Sequence, residues 1–124
     1  MSVITEPNNL GDLLKHEDSQ FYSRDAVTVA SGQSLALGTV VGIKTADGKI
    51  YALNPVAVDG TETAAGVLIL AVDATGSDAD GIMIARHAIV ASHALVWPGG
   101  ITVNQKSTAV AQLKASGILV RQGV

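Results

Sequence analysis

Gly66-Val67-Leu68-Ile69-Leu70-Ala71-Val72 is the stretch in which neither alternate set of residues is polar. Successive side chains of a strand point to opposite faces, so this run, read as a strand, demands cover on both sides. A helix is disfavoured by Gly66 at its head, by Asp73 and Gly76 just beyond it, and by a length that suits a strand. The cover has two possible sources, a barrel-like fold wrapped around the strand or a partner subunit laid against it.

Composition narrows the classes. A chain of 124 residues is expected to form one domain, large enough to bury roughly two-thirds of the surface its unfolded form exposes. It contains no cysteine, which excludes disulfides and thiolate-ligated metals. The net charge is -3, and the eight Lys and Arg are dispersed, so no basic stripe is available to follow a phosphate backbone; nucleic acid is not an expected partner. Asn8, Asn9 and Asp12 stand where a secretory leader needs a basic and then an apolar segment, and no apolar run approaches bilayer-spanning length. A membrane is therefore not an expected partner either. Yet 48% of residues are hydrophobic against 15% charged, and part of that apolar surplus is assigned to a subunit interface.

Residues 1–20 are set apart as a flexible N-terminal arm, and residues 21–124 as a single β-rich domain. The first 25 residues hold five acidic and two basic side chains, Pro7, the Asn8-Asn9 pair and Gly11, with apolar residues too scattered for a period. Leu10, Leu13 and Leu14 allow one helical turn, which is marginal in water unless it packs on something. Two readings stand: a frayed terminus, or an arm that orders on a partner, with Val3, Ile4 and Thr5 as strand formers and Phe21 and Tyr22 as bulky anchors at the junction.

From Ala26 onward the pattern is regular. Val27, Val29, Leu35 and Leu37 alternate around Ser31-Gly32-Gln33-Ser34, and Asp47-Gly48 predicts a hairpin joining residues 40–44 to 49–53. Residues 26–54 are read as antiparallel β. Asn54-Pro55 ends that hairpin and Asp59-Gly60 turns the chain into the central strand. Residues 82–91 resume β character, with Arg86 on the apolar parity of Ile82, Ile84, Ala88 and Val90, which marks an edge or a bulge. Thr102 with Gln105 three residues on predicts a capping box, opening one helix over residues 103–116 that buries Ala109, Val110 and Leu113 and is capped by Gly117. Residues 118–121 form a last strand.

No constellation points to catalysis. The loop after Val72 carries Asp73, Asp78 and Asp80 but lacks the spacing and terminal Glu of a calcium loop, so it reads as a solvated turn. His87 and His93 share parity without a third ligand, and His16 lies in the arm; no metal and no cofactor is assigned. No serine sits in a nucleophile elbow and no phosphate-binding glycine loop occurs, so the chain is not read as an enzyme. Trp97, before the turn-forcing Pro98-Gly99-Gly100, is assigned with Pro98, Val67 and Ile69 to packing in the core or at a subunit contact.

Three segments in order carry a resemblance: Asp59-Gly60-Thr61-Glu62-Thr63-Ala64-Ala65 with the central strand to Asp73, then Arg86-His87-Ala88-Ile89-Val90, then Leu95-Val96-Trp97-Pro98 ahead of the terminal helix and strand. Together with the junction from Tyr22 to Gln33 they resemble the head decoration proteins of tailed bacteriophages, the lambda protein D-like family, over roughly residues 21 to 121. The resemblance implies a β-clip-like small domain, mainly β with one C-terminal helix. It also implies a homotrimer that leaves the host cytoplasm for the outer surface of the capsid, at three-fold positions of the expanded head, where it cements the shell against the pressure of packaged DNA. Its partner would be the major capsid protein, gripped by an arm in which Val3, Ile4 and Thr5 add to a capsid strand while Phe21, Tyr22 and Arg24 set the arm's exit. The competing reading is a small carbohydrate- or peptide-binding β module of a phage tail or baseplate; it is disfavoured by an aromatic content of only 3%, which leaves little for sugar stacking.

Overall fold

A computed structural model describes residues 10–17 and 23–122. Its strands are β1 (Leu14–Glu17), β2 (Arg24–Val29), β3 (Gln33–Leu35), β4 (Val40–Ile43), β5 (Ile50–Ala52), β6 (Gly66–Leu68), β7 (Val72–Ala74), β8 (Ala79–Ile84), β9 (Ala88–Ala91) and β10 (Ile118–Arg121). One long helix, Val103–Ala115, precedes β10, and a single helical turn, Leu10–Leu13, leads into β1. The protein is thus mainly β with one C-terminal helix.

Strands β2, β5, β4, β6 and β8 close into a barrel. The predicted turn at Asp47-Gly48 joins β4 to β5, with Gly48 in the left-handed region at φ 68° and Asp47 accepting from Lys49 N at 2.9 Å. Strand β8 lies antiparallel to β2 from Arg24↔Ile84 to Val29↔Ala79 and pairs with β6 on its other side. Closure comes where β2 meets β5 in parallel at Val29↔Ile50. The Gln33 side chain extends that seam, donating to Ile50 O at 3.0 Å and accepting from Ala52 N at 3.0 Å. A second sheet, in the order β1-β9-β10, and the helix cover one flank of the barrel, while β3 and β7 form a two-stranded ribbon.

The central strand is covered on both faces by its own chain. Val67 joins a core with Val90, Leu113 and Ile118, between the barrel and the outer layer. Its neighbour Leu68 points the other way, into the barrel core with Val41, Ile50 and Met83. Burying a side chain of this kind contributes about 1.5–3 kcal/mol, so one short strand stabilises two cores at once.

Four expectations need correction. Residues 66–72 are two strands, because the ladder to β8 ends after Ile69 N bonds to Ile82 O at 3.1 Å; the chain then turns so that Val72 pairs with Leu35 and buries beside Val29. Residues 82–91 are also split, at Ala85–His87, where His87 adopts φ 54° and leads the chain from barrel to outer sheet. The region 26–54 is not wholly antiparallel, since β2 meets β5 in parallel and β3 pairs with β7. Residues 10–17, placed in the arm by composition, pack on the body: β1 pairs antiparallel with β9, and Leu13 is 0% exposed in the core beneath. The cover that a single turn of helix requires is supplied by β9 and by the 3-10 turn Ser92–Ala94.

The terminal helix begins as predicted. Gln105 N donates to Thr102 Oγ1 at 3.1 Å while Thr102 N donates to Gln105 Oε1 at 2.9 Å, and Gly117 follows the helix at φ 86°. Ala109 and Leu113 are buried, whereas Val110 is only half-buried.

Gly66 marks the tightest approach along the central strand, since a Cβ there would lie 2.4 Å from Ile84 O and 2.8 Å from Met83 Sδ. Gly66→Ala must therefore push β6 off β8, and a loss of about 2–4 kcal/mol is expected in urea unfolding; a loss under about 0.5 kcal/mol would show that the two strands are not held this closely.

Candidate functional site

Arg24, Glu17 and Ser23 form a clasp where β1 leaves the outer sheet and β2 enters the barrel. Arg24 donates from Nε to Glu17 Oε2 at 3.0 Å and from Nη2 to Glu17 Oε1 at 2.6 Å; Ser23 Oγ donates to Oε2 at 2.6 Å. Two-point pairing of a planar guanidinium with a carboxylate fixes direction as well as distance. The Arg24 hydrogen bonds hold the Glu17 carboxyl below its ordinary value, against the opposing pull of burial and with help from Ser23. The same pairing raises the Arg24 value. The clasp thus ties the end of β1 to the start of β2.

A second feature lies at the N-terminal end of the terminal helix. A cleft of about 220 Å³ between Leu53, Pro55 and the helix face at Gln105 and Thr108 runs into a groove of about 450 Å³ bounded by Asn54, Val56, Pro98 and Ile101. Beside it, Val56 is 80%, Val58 98% and Val103 79% exposed. The loop carrying the first two valines is braced: Asn54 N bonds to Thr61 O at 2.9 Å, Ala57 N to Asn54 O at 3.0 Å, and Asp59 Oδ1 accepts from both Thr61 N and Thr61 Oγ1. Gly60, at φ 107°, passes so close to Ile43 O that a Cβ would lie 2.4 Å away.

The ionisable side chains serve turns and pairs. Asp25 takes both terminal nitrogens of Arg86, at 3.0 and 2.8 Å; Asp78 pairs with Lys49 at 2.7 Å and accepts from Ser31 N; Asp47 accepts from Tyr51 Oη at 3.0 Å. Hydrogen bonds within their own turns lower the values of Asp47, Asp59 and Asp73, and the bond from Lys49, helped by that from Ser31 N, lowers that of Asp78. Among the described residues no three of His, Asp and Glu group as metal ligands, and no helix is long and apolar enough to cross a membrane. His16 and His87 border one shallow pocket on the outer sheet; His93 lies apart, in the 3-10 turn.

Of the residues singled out in the sequence, Val3, Ile4, Thr5, Phe21 and Tyr22 lie outside the described residues. Arg24 turns onto its own chain through Glu17. Val67 and Ile69 are buried in the core between barrel and outer layer. Trp97 is half-buried against that same core, after a segment that runs beside residues 38–40 through the Thr39↔Val96 bridge, and Pro98 lines the groove. The clasp was invisible in the sequence, where Glu17 and Arg24 stand seven apart with no periodic pattern between them. The braced valine loop had a signal in Asp59-Gly60, although nothing local shows that Val56 and Val58 stay uncovered.

A family model described as "Bacteriophage lambda head decoration protein D" matches residues 3–118. Comparison with the curated proteins found no match.

The clasp generates a pH prediction with a definite sign. A carboxylate whose folded value is depressed stabilises the fold above its unfolded value and loses that contribution as the pH falls through the folded one. The clasp is therefore fully present at neutral pH and is lost on acidification below the ordinary Glu value of 4.5. Glu17→Gln is expected to lower stability at pH 7 by about 1–3 kcal/mol, because Arg24 and Ser23 lose a charged partner, and to flatten the stability decline between about pH 5 and 3. Parallel urea titrations of the two proteins check this, and identical acid limbs would remove Glu17 from the pH response.

Proposed function

The chain belongs to the bacteriophage lambda head decoration protein D family, and on that premise we propose that it acts as a homotrimeric cement on the outside of the expanded phage head. The family is a structural one, and membership places the protein on the virion capsid. In this reading the protein folds free in the host cytoplasm. It then seats at local three-fold positions, contacts the major capsid protein and holds the shell against the pressure of packaged DNA.

The observation that supports the reading best is the anchoring of the leading segment. Strand β1 on β9 and the Arg24–Glu17 clasp hold residues 10–17 to the body. The proposed capsid-binding arm is thereby shortened from residues 1–20 to residues 1–9, and it includes Val3, Ile4 and Thr5. Arg24 acts at its base as a positioning residue. Phe21 and Tyr22, between the two halves of the clasp, are assigned to the same junction. Trp97 and Pro98 are assigned to the body's packing near a subunit contact.

Adhesion of this kind works by backbone pairing. An arm that adds a strand to a capsid sheet gains main-chain hydrogen bonds and depends little on side-chain identity. Ordering it costs about 1–2 kcal/mol per residue fixed, so one arm binds weakly. Three arms on one trimer make the second and third contacts intramolecular, which raises avidity by roughly 10² to 10⁴. Expansion of the head would bring three capsid strands to the spacing that a rigid trimer can meet.

Deleting residues 1–9 is expected to leave the melting temperature of the free protein within a few degrees of the full chain while abolishing binding to expanded, undecorated heads. Deleting residues 1–20 also removes Leu13, β1 and Glu17, and is expected to lower the melting temperature by roughly 10 °C or more, given about 4 °C per kcal/mol for a domain of this length. Counting copies bound per head decides the first point; full occupancy by the nine-residue truncation would overturn the arm.

A further inference from the structure

We infer that the groove between Asn54–Val56 and Pro98–Thr102, with the braced valines beside it, is the face by which one copy of this chain meets the next; the inference rests on the trimeric reading above. Val56 and Val58 are 80% and 98% exposed on a loop whose hydrogen bonds run back into the body at Thr61 and Thr45. They are therefore displayed by a built structure rather than by a fraying end. A preformed loop surrenders little further freedom on contact, so apolar area hidden there contributes to association nearly undiminished.

Charge selects the occupant. None of the residues lining the 450 Å³ groove carries an ionisable side chain, and the one that lines the adjoining cleft, Glu62, is turned to Gly60 N at 2.8 Å. The chain as a whole has a net charge of -3, and its acidic cluster lies instead on β7 (Asp73), β8 (Asp80) and the loop between them (Asp78). Two acidic copies meeting face to face gain most from a neutral contact, because like charges buried together are heavily penalised. A partner of opposite charge would be better served by a face that offers charges to pair. Shape agrees with a ring: a closed three-fold assembly needs two unlike patches, one of which fits the other on the neighbouring copy. The Val58 tip is the convex patch and the groove between Pro55 and Pro98 the concave one. Val103, 79% exposed and adjacent in the chain to Thr102 on the groove wall, widens the apolar contact.

The test uses the full chain. Val56→Asp with Val58→Asp places two carboxylates on the face at positions already open to water, so the melt of the isolated subunit is expected to stay unchanged while trimer affinity falls about a hundredfold or more. Sedimentation equilibrium should then find a species of 12.6 kDa where the unaltered protein gives three times that mass. Ser77→Asp on the β7–β8 loop adds charge elsewhere and should leave the trimer intact. Because the chain has no cysteine, Val58→Cys with Gly99→Cys supplies one thiol on each of the two unlike patches, and a short bis-maleimide should link copies of that variant in the trimer. A double-aspartate variant that remains trimeric overturns the assignment. If that variant also fails to bind heads, the face belongs to the capsid contact instead. An unaltered protein that stays monomeric at every concentration overturns the trimeric reading itself, an outcome separable from the others.

Discussion

The structure depends on a strand of three residues that has no solvent side. Gly66, Val67 and Leu68 are all buried, Val67 in the layer shared with the terminal helix and Leu68 inside the barrel. In a small domain most strands spend one face on water, and the core is correspondingly thin. Here the barrel wall serves as the boundary between two cores, so the outer sheet and helix are bound to the barrel by the same residues that close it. Gly66 permits this because β8 lies too near for any side chain to intervene.

That construction suits a protein whose family works by holding on to a shell. Outside the core, two turns are braced by a carboxylate beside a glycine in a conformation that L side chains resist: Asp47 with Gly48, and Asp59 with Gly60. Asp25 and Arg86 tie the two strands β2 and β8 together at the barrel end where β9 departs. Such pairs are partly exposed and individually weak; their effect is to specify geometry. A body that keeps its shape transmits load between the sites it joins and gives a fixed spacing to whatever projects from it.

The sequence carries those features whose cause is local. Two-sided cover of the central strand follows from the absence of a polar parity, the hairpin follows from Asp47-Gly48, and the helix start follows from Thr102 and Gln105. What failed to show had causes elsewhere in the chain. The apolar run continues from Val67 to Val72, but where a strand stops depends on where its ladder partner stops, and β8 ends its pairing near Ile69. Leu10, Leu13 and Leu14 look too few to fold because their cover is β9, more than seventy residues on. Glu17 with Arg24 and Asp25 with Arg86 are pairs made by topology, and spacing does not foretell them. The exposed valines are the mirror case, since composition announces an apolar surplus without saying which residues remain uncovered.

The earlier anchoring of the chain changes the physics proposed for its leading segment. Twenty extended residues reach about 65–70 Å, and nine reach about 30 Å. Effective concentration falls roughly as the three-halves power of tether length, so in the proposed trimer an arm of nine rather than twenty residues would raise it about threefold at each of three sites. The entropy of ordering the segment falls in proportion, by about 1 kcal/mol or more for each residue already held by β9 and the clasp. The two effects act in the same direction, toward tighter seating within a smaller radius. A short tether also discriminates: it reaches a capsid strand only when that strand lies close to the rim of the body. On the proposed reading a shell whose strands lie beyond that reach is refused, so the geometry of the head would be sensed without side-chain recognition.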